Sequence, residues 1–223
     1  MPGVLVTIPA YNEAETVARV IKSVKYYMNG TVNTVLVVSD GSIDQTEAAA
    51  WSAGAVVRCK QHSGLADTFR TEMAIALAGN FDVIVHIDAD GQYDPVDIPS
   101  LLKWIDRGYA LVLGNRLHQR VTGHRWYRYA LNKGGAFAYS VVLGQWIPDM
   151  TTGFRVFTRE VAALPIVSRY TYTQEQLWRA IKAGYKVKSV PVSFRRRDGK
   201  SRLISGTAQY LMRSAMDLWR FAR

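Results

Sequence analysis

Two carboxylates separated by one residue stand at the end of a strongly apolar stretch, in the sequence VIVHIDADGQYDP over residues 83–95. Asp88 and Asp90 would face the same way at the end of an extended strand, and Gln92 continues the spacing with a neutral oxygen. Mg²⁺ and Mn²⁺ prefer such oxygen ligands and take their remaining ligands from water and substrate phosphates. The pattern predicts a divalent-cation site that also holds a phosphorylated substrate, although a D-x-D pair alone is also common in surface turns.

The elements that would position these carboxylates alternate regularly in the first half of the chain. Apolar runs and helical periodicity predict strands over 4–9, 35–39, 55–59, 83–87 and 111–114, and helices over 13–27, 45–53, 67–78 and 95–107. Asn12 followed by Glu13 and Glu15 has the form of a capping box for the first helix. In the second half the patterns predict helices over 126–143 and 173–183 and strands over 156–158 and 187–194.

Continuous apolar strands between helices predict an α/β fold, with a mostly parallel, Rossmann-like sheet covered by helices on both faces. Ligands bind such sheets at the carboxyl ends of the strands. Polar residues follow four of the predicted strands, at 9–13, 39–41, 60–62 and 88–90. This convergence favours a binding site over a chance turn. We predict one domain over residues 1–203 and a separate basic helix over 204–223.

Charge divides the chain into two unlike halves. The net charge is +10, but residues 1–115 carry −5 and residues 116–223 carry +15. Such asymmetry favours a polyanionic partner, which could be nucleic acid, anionic lipid or a phosphorylated substrate, while a merely solvated basic face is the alternative. The single cysteine, Cys59, excludes an internal disulfide and is expected to be packed in the core. No run of 18 apolar residues occurs, and the start lacks a signal-peptide pattern.

An ordered set of short motifs resembles the family-2 glycosyltransferases of the GT-A fold, most closely the branch of dolichyl-phosphate mannose synthases and polyprenyl-phosphate glycosyltransferases. The motifs are IPAYNEAETV, VLVVSDGSIDQT, HSGLA, HIDADGQYDP, GNR, TTGFRVF and RRDGKSRL, and they span nearly residues 3–203. The sequence departs from the family at two points. Ser39 replaces the first of two acids, and Ala66 replaces the second glycine of G-L-G.

The resemblance implies inverting transfer of a sugar from a nucleoside diphosphate donor, with Mg²⁺ or Mn²⁺ as cofactor. By position in the motifs, it implies nucleoside contacts from Pro9, Tyr11, Glu13 and Asp40 and metal and pyrophosphate contacts from Asp88, Asp90 and Gln92. Asp90 is expected to be indispensable for turnover.

A basic, glycine-containing loop over 194–203 is suited to closing over a pyrophosphate and neutralising its charge. Arg196, Ser201 and Arg202 match the family's R-x-x-G-x-S-K-L positions, with Gly199 as the expected hinge. The alternative interpretation of this loop is a run of basic residues that is exposed to solvent or contacts acidic lipid.

Two kinds of acceptor remain open. A hydroxyl acceptor needs a general base, for which Glu175 and Asp149 are the candidates, whereas a phosphate is already ionised at neutral pH. Arg116 and Arg128 match arginines that bind the lipid phosphate in the resembling branch, and Asn132 falls where a serine assists there. We favour a lipid phosphate such as dolichyl or polyprenyl phosphate. The two arginines could instead neutralise helix ends.

The segment 204–223 has an apolar helical stripe flanked by arginines and aromatic residues, which is typical of a helix lying in a membrane interface. Docking on the domain or on a second subunit, giving a homo-oligomer, is the alternative. We predict a cytoplasmic enzyme, peripheral on the cytosolic face of the membrane.

A nucleotidyltransferase and a nucleic-acid-binding protein are the alternative classes of function. A nucleotidyltransferase is expected to have a glycine-rich phosphate-binding loop after the first strand, but residues 9–15 contain no glycine. A nucleic-acid-binding protein would leave the converging acidic residues unexplained, because they would repel nucleic-acid phosphates.

Overall fold

The structure, a computed structural model, describes residues 3–30, 34–118 and 126–195, with the backbone alone for 126–133 and 138. Its strands are β1 (Val4–Ala10), β2 (Thr34–Asp40), β3 (Val56–Lys60), β4 (Val83–His86), β5 (Leu111–Asn115), β6 (Arg155–Thr158) and β7 (Val187–Pro191). Its helices are α1 (Val17–Tyr27), α2 (Thr46–Ser52), α3 (Leu65–Ala78), α4 (Ile98–Ile105), α5 (Trp126–Leu143), α6 (Arg159–Ala162) and α7 (Tyr172–Lys182). The predicted elements are therefore present, most with ends shifted by a few residues.

The seven strands form one sheet in the order β3-β2-β1-β4-β6-β5-β7. All neighbouring strands are parallel except at β6, which runs antiparallel between β4 and β5. The predicted α/β fold with a mostly parallel sheet is confirmed. The reversed strand has a consequence for the site, because the start of β6 lies beside the end of β4, with His86 opposite Arg155.

Helices cover both faces of the sheet, and the alternation of side chains along β1 shows why. Val4, Val6 and Ile8 belong to a core with α1 and α4, whereas Leu5 belongs to a second core on the opposite face with Phe69 of α3. Successive strand residues point to opposite faces, so a continuous apolar run buries both. The described helices include none that is long and apolar enough to cross a membrane.

The capping box predicted for the first helix is wrong. The helix begins at Val17, after a Thr16 N-cap that makes no side-chain capping bond, and Asn12 has a left-handed backbone with φ of 55°. The Asn12 side-chain oxygen instead accepts a 2.8 Å hydrogen bond from the Ile43 backbone, and the Glu13 backbone donates to Thr46 Oγ1 at 2.7 Å. These tertiary bonds to the β2–α2 loop outweigh the local capping pattern. The packing expected for Cys59 is also wrong, because Cys59 is exposed on the edge strand β3.

Arg159 closes the carboxyl end of α3, where helical carbonyls have no partners within the helix. Its guanidinium donates to the carbonyl oxygens of Leu77 and Gly79 and, at 3.3 and 3.2 Å, to those of Ala76 and Phe81. One side chain therefore ties the α3–β4 connection to the end of β6.

We predict that Arg159→Ala lowers the free energy of unfolding by about 2–3 kcal/mol, because several carbonyls lose a charged donor together. Urea unfolding followed by circular dichroism measures the change. The control is Arg58→Ala on the exposed edge strand, expected to change stability by less than about 0.5 kcal/mol. Equal stability of both variants would contradict the role of Arg159.

Candidate active site

Asp88 lies just beyond the end of β4, at the carboxyl edge of the sheet and beside β1 and β6. Burial, and after it the negative charge of Asp90, raises the pKa of the Asp88 carboxyl to about 6, although His86 and Arg116 oppose the shift. Asp90 turns back on its own loop, with Oδ1 accepting a 3.0 Å hydrogen bond from the Gln92 backbone. Two carboxylates are thus held close enough that each disfavours the charge on the other.

Gly153 approaches Asp88 so closely that any side chain there would have to displace the Asp88 carboxylate. A Cβ atom built on Gly153 would lie 2.6 Å from Asp88 Oδ2 and 2.8 Å from Oδ1. The loop 151–154 therefore forms one wall of the carboxylate corner, with its backbone against the acid.

The donor set suits Mg²⁺ or Mn²⁺. Among the residues that the structure describes, no three His, Cys, Asp or Glu side chains cluster as metal ligands. Two carboxylates with an amide nearby match a cation that keeps waters and substrate phosphates as ligands. The mutual repulsion of Asp88 and Asp90 is what a bound cation would relieve. Gln92 is positioned by a 3.1 Å bond from its Nε2 to the Arg195 carbonyl.

The predicted nucleoside residues lie at the ends of β1 and β2, and two of them are joined through His62. The rings of Tyr11 and His62 stack at 4.4 Å, and His62 Nδ1 lies 3.0 Å from Asp40 Oδ2. Pro9 is buried inside β1, opposite Val38. Glu13 is half-buried, and its Oε2 accepts a 3.3 Å bond from Thr16. The structure thus brings Tyr11 and Asp40 together at the rim and places Pro9 beneath it.

Asp40 organises the β3–α3 loop in this structure. Burial raises the pKa of the Asp40 carboxyl, but bonds from Lys60 at 2.6 Å and from the Ser63 and Gly64 backbones at 3.0 and 2.8 Å outweigh it, so the pKa lies below its usual value. Ser39, where the family has an acid, bonds to Ser42 within the same turn. Asp40 is therefore an ionised group fixed at the edge.

Arg116 and Asp149 form an ion pair beyond the end of β5. Arg116 Nε lies 2.9 Å from Asp149 Oδ2, and Asp149 is 1% exposed. The Arg116 guanidinium also donates to Thr151 Oγ1 at 2.5 Å, which ties it to the loop that meets Asp88. The two residues that the sequence assigned to different tasks thus act as one unit.

Glu175 is fully buried on α7, and both its oxygens are bonded. Oε1 accepts from Nε and Nη2 of Arg179 at 2.8 and 2.7 Å, and Oε2 accepts from the backbones of Val167 and Ser168 at 3.0 and 2.8 Å. The structure does not bring Glu175 to the carboxylate corner as a group open to an acceptor. It holds the segment before α7.

Sequence reasoning assigned no role to Arg155 or Tyr93, although TTGFRVF and DGQYDP contain them. Arg155 is fully buried and donates to the carbonyls of Thr152 and Thr173 and to Gln176 Oε1. Tyr93 is 2% exposed and shares a 3.1 Å hydrogen bond with Thr152 Oγ1. Both residues fix the loop that carries Gly153. The sequence feature that could have identified both residues is their position in these motifs, close to the predicted acidic ligands.

A buried polar cluster lies beneath Asp88. His86 Nδ1 lies 2.9 Å from Glu72 Oε2 and 3.1 Å from Thr7 Oγ1, and all three residues are fully buried. Burial raises the pKa of Glu72, an effect that the neighbouring His86 opposes. The strand end that carries Asp88 is therefore tied to α3 and β1 from within.

Several predicted residues lie outside the described part of the chain. Arg196, Ser201, Arg202 and the helix over 204–223 fall there, and the side chains of Arg128 and Asn132 on α5 are not described. Their roles, and the boundary at residue 203, stay predictions.

We predict that Gly153→Ala weakens Mn²⁺ binding by about 10- to 100-fold, because the new methyl group must displace Asp88 from its place. Isothermal titration with Mn²⁺ and a nucleoside diphosphate measures the affinity. Gly134→Ala is the matched control, since a Cβ at Gly134 meets no atom within 4 Å. Unchanged affinity in a folded Gly153→Ala protein would show that the corner tolerates the displacement.

Known proteins resemble this chain along most of its length. A family model described as Glycosyl transferase family 2 matches residues 5–163. A polyprenol monophosphomannose synthase of Mycolicibacterium smegmatis is 31% identical over 208 residues, covering 87% of this chain and 78% of that protein. A dolichyl-phosphate hexose transferase of Haloferax volcanii is 29% identical over 204 residues, covering 89% and 85%.

A glucosyl-3-phosphoglycerate synthase of Mycobacterium tuberculosis, solved with Mn²⁺, UDP-glucose and phosphoglyceric acid, superposes with a TM-score of 0.80. It is 23% identical and covers 99% of this chain and 80% of that one, a likeness that shows the GT-A fold alone. The family match covers well over half of the chain and includes the carboxylate corner. The chain therefore belongs to glycosyl transferase family 2, resembles its polyprenyl-phosphate branch, and is a glycosyltransferase.

Proposed function

We propose that the protein transfers a hexose, with inversion, from a nucleoside diphosphate donor to the phosphate of a polyprenyl or dolichyl lipid at a membrane surface. GDP-mannose is the proposed donor, and Mg²⁺ or Mn²⁺ the proposed cofactor. The names of the two similar lipid-phosphate enzymes support the acceptor class. We place the enzyme on the cytosolic face of the membrane.

The observation that carries the choice of acceptor is that both predicted bases are buried carboxylates already paired with arginines. Asp149 is bonded to Arg116, and Glu175 is bonded to Arg179 and two backbone amides. A hydroxyl nucleophile would need one of these carboxylates to take its proton. A phosphate oxygen is already ionised, so it can attack without a base.

In the proposed reaction an acceptor phosphate oxygen attacks the anomeric carbon from the face opposite the diphosphate. The bond from that carbon to the diphosphate oxygen breaks, and the nucleoside diphosphate leaves with the electron pair. A divalent cation held by Asp88, Asp90 and Gln92 would supply charge neutralisation for the leaving group. Tyr11 and Asp40 would hold the nucleoside, Pro9 and Glu13 would shape its floor and rim, and Arg196, Ser201 and Arg202 would close over the pyrophosphate.

Arg116 has a role on the acceptor side that its geometry supports. The buried Asp149 carboxylate holds the Arg116 guanidinium through an ion pair, while 22% of the Arg116 side chain remains exposed. A guanidinium fixed in this way is suited to orienting a phosphate. Arg128 and Asn132 on α5 would complete this part of the site.

We predict Mn²⁺-dependent transfer of radiolabelled mannose from GDP-mannose to a polyprenyl phosphate and none to the matching polyprenol. Asp90→Ala should lower the rate at least about 1,000-fold, because the leaving diphosphate loses charge stabilisation worth several kcal/mol. Extraction and counting of labelled lipid measures the transfer. Asp106→Ala, an exposed acid at the end of α4, is the control and should keep full activity.

The same assay with UDP-glucose in place of GDP-mannose identifies the donor. The unfolding temperature is also measured with each donor, once with Mn²⁺ and once with EDTA, and the true donor should stabilise the protein only with Mn²⁺. Transfer to the polyprenol, or activity that survives both EDTA and Asp90→Ala, would contradict the proposal.

We predict that Glu175→Gln lowers the free energy of unfolding by about 2–4 kcal/mol. Arg179 loses its charged partner, and the backbone N–H groups of Val167 and Ser168 lose a charged acceptor. The rate per folded molecule should stay within about threefold of the parent, since a positioning carboxylate takes no proton. Urea unfolding and transfer assays below the unfolding temperature separate the two effects. A loss of several orders of magnitude in rate would instead identify Glu175 as the base for a hydroxyl acceptor.

A further inference from the structure

His62, in the loop between β3 and α3, makes two contacts that together imitate a bound nucleobase. Its ring stacks on Tyr11 with centroids 4.4 Å apart and an angle of 27° between the planes. Its Nδ1 atom lies 3.0 Å from Asp40 Oδ2 and 2.9 Å from the Asp40 backbone oxygen. This geometry places a hydrogen on Nδ1, because both neighbouring atoms are acceptors. Stacking on an aromatic ring, together with a hydrogen bond at the edge of the ring, is also how proteins hold a base.

The imidazole can leave this position without opening the fold. Asp40 Oδ1 accepts hydrogen bonds from Lys60 and Ser63, and Asp40 Oδ2 accepts a 2.8 Å bond from the Gly64 backbone. These bonds remain when His62 turns away, so the carboxylate stays fixed. The His62 side chain is 57% exposed, whereas the Asp40 side chain is 6% exposed. His62 is therefore a partner of Asp40 that can be exchanged for another donor.

Gly41 allows the His62 backbone to lie against the turn that follows β2. Gly41 has a left-handed backbone with φ of 73°, and a Cβ atom built on it would lie 2.8 Å from the His62 backbone nitrogen. The close approach holds the His62 backbone at the ends of β1 and β2. A change of the side-chain torsions of His62 is then enough to move its ring into solvent.

The spacing of the two rings leaves no room for a base between them. A base inserted between Tyr11 and His62 would need roughly twice the present separation, because each stacked pair of rings keeps its own spacing. A base on the outer face of His62 could not reach Asp40 Oδ2, because the imidazole Nδ1 lies next to that atom. A base that contacts both Tyr11 and Asp40 must therefore replace the imidazole.

We propose that donor binding displaces His62, and that the base takes its place on Tyr11 and its hydrogen bond to Asp40. The inference rests on the proposed function for one step, which is the assignment of Tyr11 and Asp40 to the nucleoside. His62 acts as an internal competitor of the base. It lowers the apparent affinity for the donor, because only the fraction of molecules with His62 turned away can bind.

The exchange also selects the base. A base that replaces the imidazole must bring an N–H group to Asp40 Oδ2, since the buried carboxylate otherwise loses this bond. Guanine N1 and uracil N3 carry that hydrogen, whereas adenine N1 and cytosine N3 carry lone pairs that the carboxylate repels. Guanosine and uridine diphosphates should therefore displace His62, and adenosine and cytidine diphosphates should not.

The test measures binding of GDP, UDP, ADP and CDP, each with Mn²⁺, to the full-length chain by isothermal titration. His62→Ala should bind the better of GDP and UDP about three- to tenfold more tightly than the parent, because the competing stack and hydrogen bond are gone. ADP and CDP should bind at least about tenfold more weakly than that nucleotide to the parent.

The matched control is His118→Ala, which removes another exposed histidine. His118 lies beyond the end of β5, and β4 and β6 separate β5 from β1 in the sheet. This variant should bind all four nucleotides as the parent does.

Nuclear magnetic resonance of the parent protein follows His62 itself. The chain contains four histidines, and the imidazole signals that are absent from the His62→Ala spectrum identify those of His62. The Tyr11 ring current should shift these signals upfield in the free protein. Saturating GDP or UDP should move them to the position of a solvent-exposed histidine.

Four outcomes would overturn the proposal. They are equal or weaker binding of GDP and UDP by His62→Ala, His62 signals that do not respond to a bound nucleotide, ADP or CDP binding as tightly as GDP and UDP, and binding of none of the four. Weaker binding would make the imidazole a part of the base site.

The inference and the proposed function can fail separately. If the protein transfers no hexose to a lipid phosphate, the effect of His62→Ala on nucleotide binding remains measurable and decides the inference alone. If transfer occurs and His62→Ala binds the donor nucleotide as the parent does, the inference fails and the proposed function stands.

Discussion

The repulsion between Asp88 and Asp90 is the constraint on which the rest of the site depends. Two like charges at the end of a buried strand cost free energy unless other groups compensate them, and burial together with this repulsion raises the pKa of Asp88 to about 6. The fold supplies partial compensation from His86 beneath and Arg116 at the side. The remaining imbalance favours binding of a cation, so a feature that destabilises the empty corner also prepares it for a metal and its phosphates.

The reversed strand β6 is what makes this compensation possible. Its antiparallel direction brings the loop 151–154 to the end of β4, so Gly153 meets Asp88 through backbone alone. Arg155 then fixes that loop from inside the core, and Thr151 links it to Arg116. In a wholly parallel sheet the start of this strand would lie at the opposite edge, away from the carboxylates. Arg116, proposed for the acceptor, and Asp88, proposed for the donor, would then share no loop between them.

The sequence allowed the elements and the carboxylate corner to be predicted, because both depend on short-range patterns. Apolar runs such as VLVTIP and VIVHI predict buried strands, and polar residues at their ends predict one functional edge. Two of the failures came from contacts between residues far apart in the sequence. Asn12 fits a capping box locally, but the Ile43 backbone competes for its side chain. Asp149 reads as a free acid, but Arg116, 33 positions away, pairs with it, and no sequence spacing indicates that contact. The pairing of Glu175 with Arg179 spans four positions of one helix, so the predicted helix over 173–183 could have indicated it.

The charge asymmetry of the chain matches a division of labour within one domain. The acidic half supplies β1 to β5, and with them Asp40, Asp88 and Asp90, the residues proposed to hold a phosphorylated donor together with a cation. The basic half supplies Arg116 and the cations leading into α5. The boundary between the two halves falls at the end of β5, next to the carboxylate corner. In the proposed reaction, the cation bound by the acidic half would attract the negatively charged donor, the basic half would attract the acceptor phosphate, and the two would meet where the sign of the charge changes.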